Sequence, residues 1–200
     1  MDKPTQVAIR RHRVLLVMLL ARIGHSMAQA QSVTITESPG AFSARSPTGW
    51  SRQPATGDAR LKFVSPEGKP YAECAVLVKT RPSLRGRSQS DFDTAMRETP
   101  DAKAMARQLA KSYGDVRIIS VANGALSGVP AQVYDVVYSV GTPARTEWVR
   151  SVTAIAVTVP DVIWTSTCGG QGRTLAEAQK AFDHWQIEFA KFSAFIEFLR

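Results

Sequence analysis

Histidine is nearly missing from this chain. Of His12, His25 and His184, the first two fall within the first 30 residues, which read as a secretory leader. Histidine chemistry in the remaining chain would have to run through His184 alone. A Ser-His-Asp arrangement needs an acid that orients the ring. Asp183 adjoins His184 in sequence, but consecutive helix residues diverge by about 100°, and no G-x-S-x-G elbow is present. Cysteine is as scarce, with only Cys74 and Cys168. One histidine and two separated cysteines do not make a cluster with metal-ligand spacing, so neither a metal nor a cofactor is expected. There is no G-x-x-x-x-G-K-[ST] phosphate loop, and Asp91 and Asp93 fit helix-start charge better than a glycosidase pair. No apolar run approaches the roughly 20 residues of a membrane span. No internal repeat or low-complexity tract is present. These gaps predict no catalytic residues.

The leader is legible in its own terms. Arg10, Arg11 and Arg13 precede the apolar run Val14 to Ala21, and Ala28-Gln29-Ala30 has the A-x-A form of a cleavage site. This predicts a signal peptide over residues 1–30, a flexible segment over 31–40, one domain over 41–200 and a periplasmic or secreted destination. Residues 1–30 hold five of the 25 basic and one of the 17 acidic residues, leaving 20 against 16, or net +4. That excess carries no clustered patch, so nucleic acid is discounted as a partner. Export makes pairing of Cys74 with Cys168 the default; the alternative is two buried free thiols.

Alternation of period two marks Ala59 to Ser65 and Tyr71 to Lys79 as strands, joined through the turn Pro66-Glu67-Gly68-Lys69-Pro70. Arg81, Arg85 and Arg87 follow in a loop that is either merely solvated or an anion contact. Ser88 to Asp91 caps a short helix. Thr99-Pro100 predicts the N-cap and first residue of a second helix, ending at Gly114. The period then returns to two. Val116 to Val121 reads as a strand with a turn at Asn123-Gly124, followed by strands over Ala131 to Val140, Glu147 to Val159 and Val162 to Cys168. Ser51 to Thr56 reads as loop.

The last stretch is the most periodic. Leu175, Ala178, Phe182, Trp185, Phe189, Phe192, Ile196 and Leu199 recur at three- and four-residue steps, which places them on one stripe of a helix running to the chain end. Thr174 and Glu177 make a capping box after Gly169, Gly170 and Gly172. That helix start, with Arg173 beside it, is a candidate anion position. Ile187, Phe195 and Phe198 lie off the stripe; burial is expected for Phe195, and Ile187 and Phe198 are candidate partner contacts. Segregated blocks of hairpin, helices, meander and helix predict an α+β fold, an antiparallel sheet covered by helices.

Several segments resemble the PsbP-like family: Ser46-Pro47-Thr48-Gly49-Trp50, Leu61-Lys62-Phe63-Val64-Ser65-Pro66, Leu126-Ser127-Gly128-Val129-Pro130-Ala131, Trp164-Thr165-Ser166-Thr167-Cys168, and the aromatic stretch from Phe192 to Phe198. The resemblance spans about residues 40–198. It implies an α/β/α sandwich and non-catalytic work such as docking to a larger complex. The photosynthetic and Ran-binding roles of family members do not transfer, because no residue here identifies either partner. The expectation is an exported accessory domain that binds a protein or envelope component. The alternative is a small hydrophobic-ligand carrier, or a hydrolase using His184, with a pocket between the sheet and the terminal helix.

Overall fold

In the computed structural model, which describes residues 30–36, 40–142 and 144–199, the chain runs through ten strands, three α-helices and a short 3-10 turn at Pro82–Leu84. In order these are β1 (Ser32–Ile35), β2 (Phe42–Arg45), β3 (Ser51–Gln53), β4 (Ala59–Val64), β5 (Ala72–Thr80), α1 (Gln89–Arg97), α2 (Ala102–Leu109), β6 (Gly114–Leu126), β7 (Val129–Thr142), β8 (Arg145–Thr158), β9 (Val162–Gly172), α3 (Leu175–Ala194) and β10 (Glu197–Phe198). The signal peptide expected over residues 1–30 lies, apart from Ala30, outside the described residues. No described helix is long and apolar enough to cross a membrane.

Seven strands form one antiparallel sheet in the order β3-β4-β5-β9-β8-β7-β6. The hairpin β4–β5 docks against β9, the last strand of a four-strand meander, through nine paired positions from Ala72↔Gly170 to Thr80↔Val162. The α+β class and the antiparallel sheet are as the sequence predicted. The alternation has a physical counterpart: Ala72, Cys74, Val76 and Val78 of β5, and Val162, Trp164, Ser166 and Cys168 of β9, are all buried on one side.

That side receives α3. Leu61, Phe63, Trp164, Phe182, Phe189 and Phe192 form the centre of the core, and the aromatic rings meet edge to face, as in Phe63–Phe192 and Trp50–Trp185. Burial of each large side chain contributes about 1.5–3 kcal/mol. Gly170 and Gly172 explain how the helix comes so close. A Cβ on Gly170 would run into the Phe182 backbone nitrogen and lie 2.7 Å from the Ala181 carbonyl carbon; one on Gly172 would meet Glu177 and Ala178. These glycines therefore belong to β9, where they let helix backbone rest on strand backbone. Opposite this contact, Ala178 and Ala181 are also buried. Arg150 fixes the same junction: its guanidinium makes two hydrogen bonds to Asp135 (3.1 and 2.7 Å), lies 3.5 Å from Asp183 and stacks 4.3 Å from the Phe182 ring centre.

Several boundaries differ from the periodicity, each through tertiary pairing. The terminal helix stops at Ala194; Glu197 and Phe198 instead pair with Ser43 and Phe42 of β2, and the Leu199 N–H donates to Ala41 O. Ile196 keeps its place in the core outside the helix, while Leu199 is exposed. The expected flexible segment holds β1, paired with β2, and Val33 and Ile35 pack on the core. Ser51–Gln53 is an edge strand rather than loop. The second helix is capped by Asp101, whose carboxylate accepts the Ala104 N–H at 2.9 Å, so Thr99-Pro100 precedes the cap. Gly114 opens β6 instead of ending α2. Asn123-Gly124 is strand; the turn falls at Ser127-Gly128, both at positive φ (53° and 74°), as a two-residue hairpin link requires.

Candidate functional site

The structure disperses the residues that sequence singled out. Arg85 Nε donates to Asp161 Oδ2 at 2.8 Å, and Asp161, whose side chain is 4% exposed, also accepts the Arg81 N–H through its backbone oxygen. One of the three loop arginines thus braces the β8–β9 turn; Arg81 and Arg87 remain exposed. The anion position at the start of α3 is already filled. Glu177 Oε2 accepts the N–H groups of Arg173 (2.7 Å) and Thr174 (3.2 Å), completing the capping box. Phe198 is half-buried and stacks on Trp164 with ring centres 3.9 Å apart, while its N–H donates to Ser127 Oγ. It is engaged in packing within the chain. Phe195, expected inside, is 43% exposed under the Arg45 guanidinium. Ile187 is 66% exposed on α3.

The chemistry-bearing side chains are similarly engaged. Cys74 and Cys168 stand directly opposite each other on β5 and β9 and form a disulfide. His184 is exposed on α3, its ring edge-on to Trp185. Asp183 beside it accepts from Gln179 and faces Arg150. Among the described residues no group of three or more His, Cys, Asp or Glu is assembled for a metal ion.

A cleft that sequence reasoning missed lies on the other face of the sheet. It exists because α1 packs on β7 and β8 while α2 packs on β6. The Asn123 amide donates to the Met96 and Glu98 carbonyls at 2.9 Å each, tying the C-terminal end of α1 to β6. Gln89 ties its N-terminal end to the Val157 carbonyl and the Val159 N–H. The helix α2 packs along β6 and has no fully buried residue. The strands β5 and β9, although central, are therefore left partly open on this face.

The floor of the cleft is built by register. Tyr134–Thr153–Thr167–Ala75 and Val136–Ser151–Gly169–Glu73 are cross-strand rows, joined by Ile155, Thr165 and Leu77. Met105, Gln108 and Leu109 of α2, with Tyr113, form the wall. The volume under α2 is about 330 Å³, with a mostly apolar lining that includes no charged residue. A second hollow of about 210 Å³ shares Tyr113, Tyr138, Ser151 and Thr167 with it and reaches Glu73 and Gln171. Tyr113 leans on Tyr138 with ring centres 4.5 Å apart, and the hydroxyls of Thr153 and Thr167 hydrogen-bond to each other at 2.9 Å.

Burial, reinforced by Tyr113 and opposed by a hydrogen bond with Ser151, pushes the Tyr138 phenol up to about 12, so at neutral pH it stays protonated and can donate a hydrogen bond. At the mouth, Glu73 pairs with Lys62 at 2.6 Å and accepts from the Tyr71 hydroxyl at 3.2 Å. Burial and then the Glu73 charge raise the Tyr71 phenol; for Lys62, burial alone would lower the ammonium, but Glu73 outweighs it and the net direction is upward. This arrangement can bind and orient; His184 lies on the opposite side of the sheet, so the cleft holds no histidine. The pocket expected between sheet and terminal helix is occupied by the aromatic core. The signal in sequence was the second face of β8 and β9, which carries Ser151, Thr153, Thr165 and Thr167, neither apolar enough for core nor charged enough for solvent.

No protein-family model matches the sequence, and no curated protein matches it. Among solved structures, the chain is similar to the solution structure of cyanobacterial PsbP (CyanoP) from Synechocystis sp. PCC 6803. The likeness has a TM-score of 0.54 at 12% identity and covers 88% of this chain and 96% of that one. A lesser likeness, TM-score 0.48 at 11% identity over 86% of this chain and 92% of the other, is to LpqN of Mycobacterium tuberculosis, described as involved in cell envelope biogenesis. The fold is therefore PsbP-like.

Proposed function

We propose that this PsbP-like chain is an exported accessory domain that works by docking to a protein or envelope component and makes no covalent chemistry of its own. The observation that carries the reading is the placement of its reactive groups. Both cysteines form the disulfide, the described histidine stands exposed against Trp185, and Asp183 is held by Gln179 and Arg150. The fold shared with CyanoP supports the same reading. The leader over residues 1–30 and the disulfide support a periplasmic or secreted location. Ile187 is the contact proposed for the partner, since a large aliphatic side chain 66% exposed on a helix loses apolar surface to water only by association. Arg81, Arg87 and Arg173 are proposed as secondary contacts for an acidic surface.

Affinity purification from envelope extracts tests this. Wild-type mature chain should enrich a discrete partner that Ile187→Asp fails to retain, while both proteins show the same unfolding midpoint. Equal recovery with both variants, or no specific partner with either, contradicts the assignment.

A further inference from the structure

We propose that the cleft beneath α2 is a binding site for a small, uncharged, largely apolar molecule. The inference does not depend on the docking surface at Ile187, which lies on the other side of the sheet. Helices lie on both faces of this sheet, α3 on one and α1 and α2 on the other. Here β5 and β9 are sealed by α3 on one face, while Leu77, Thr165 and Thr167 on the other are only half-buried. The helices that could close this gap pack elsewhere: α1 lies on β7 and β8, with its C-terminal end tied to β6 through Asn123, and α2 lies on β6. The opening is thus built into the connections of the fold.

Size and charge define the occupant. About 330 Å³ sits at the low end of the ~300–1,000 Å³ usual for small-molecule sites. The lining mixes apolar walls (Met105, Leu109, Ile155) with uncharged hydroxyls (Thr165, Thr167, Tyr138). An ionised ligand would lose its hydration there without a counter-charge. An uncharged body would gain burial and still find hydrogen-bond partners in the hydroxyls. Toward the second hollow, Glu73 and Gln171 offer an acceptor and an amide for one polar end of such a molecule.

The test uses N-phenylnaphthylamine, an uncharged dye whose fluorescence rises in apolar surroundings, titrated into the mature chain. The expected result is saturable one-to-one binding that weakens at least tenfold in Thr165→Phe, which fills the floor. It should be unchanged in Lys180→Ala, an exposed site on the far side of the sheet. Should Thr165→Phe fail to fold, Leu109→Trp, which fills the cleft from the half-buried wall, takes its place with the same expectation. Absence of saturable binding in wild-type protein, or undiminished binding in a folded cleft-filling variant, overturns the proposal. Neither outcome bears on partner capture through Ile187.

Discussion

Replacing Gly170 with valine is the sharpest test of the architecture, because two physical effects predict opposite signs. On an open strand face, valine would stabilise the sheet by up to about 1 kcal/mol through β-propensity, with a further gain from removing glycine's flexibility. In this fold the new Cβ would press on the Phe182 backbone nitrogen, 2.7 Å from the Ala181 carbonyl carbon and 2.8 Å from the Ala178 oxygen. These are backbone atoms and cannot swing aside as a flexible side chain would. Carbon contacts relax at about 3.5–4.0 Å, so α3 must retreat by about 1 Å, and a gap of that size forfeits a quarter to a half of the dispersion well. Phe182, Phe189 and Phe192 ride on the helix. At about 1.5–3 kcal/mol each, their combined loss comes to about 1–4 kcal/mol, in line with the usual cost of overpacking. Set against the propensity gain, the expected net effect is a destabilisation of about 1–3 kcal/mol, or about 2–12 °C in Tm for a chain of this length. Urea unfolding of the disulfide-intact mature chain measures it, with the slope unchanged. A Gly170→Val protein as stable as wild type, or more so, refutes the helix-on-strand contact.

Three other outcomes are expected. Thiol titration of the unfolded, unreduced mature chain should find no free cysteine, and Cys74→Ala should lower stability by up to about 4.7 kcal/mol, the chain-entropy value for a loop near the 94-residue separation of the two cysteines; a titratable thiol, or no loss of stability, contradicts the bridge. The Tyr138 phenol is raised from 10.0 to about 12, so its contribution to stability is present below pH 10 and is lost as pH rises toward 12. Tyr71 and Tyr134 are raised as well, so tyrosinate absorbance should show a late-titrating fraction that Tyr138→Phe reduces by one phenol, and an undiminished fraction in that variant refutes the assignment. Hydrogen bonds from the Ser88 backbone N–H and then its hydroxyl lower the Asp91 carboxyl below its ordinary 3.8; this support for the start of α1 is therefore present above pH 3.8 and lost as pH falls through the lowered value. Amide protection in the first turn of α1, taken relative to the intrinsic exchange rate at each pH, should fall in that acidic window for wild type, and Asp91→Asn should abolish that change; protection that stays constant in wild type contradicts the cap.

Cross-strand pairing explains most of the distance between sequence and structure. Local chemistry placed the first cap within Ser88 to Asp91, where Ser88 takes it, and named the Thr174 capping box, because such a box closes within four residues. It extended the last helix too far, because Ile196 continues a helical period while Phe198 is claimed by β2, more than 150 residues away in the chain. It missed β1 and β3 for the same reason: short strands with weak patterns take their order from partners. Gly169 and Gly170 looked like the approach to a helix and proved to be strand, since only the docked α3 shows why a side chain is excluded at Gly170. The cleft was the least legible feature. Its floor draws on four strands and its wall on α2, and it stays open through the Asn123 link from β6 to α1, which no local pattern encodes.

What the sequence determined by itself was the identity and facing of the main elements. A period of two or of 3.6 is imposed by the geometry of each strand or helix, so the buried faces of β4, β5 and β9 and the stripe of α3 could be read directly. What only the tertiary structure decided was where those elements end, which side chains are engaged, and where space is left between them. Those depend on close approaches between distant segments, Gly170 against α3 and Asn123 against α1, that exist only once the sheet has assembled.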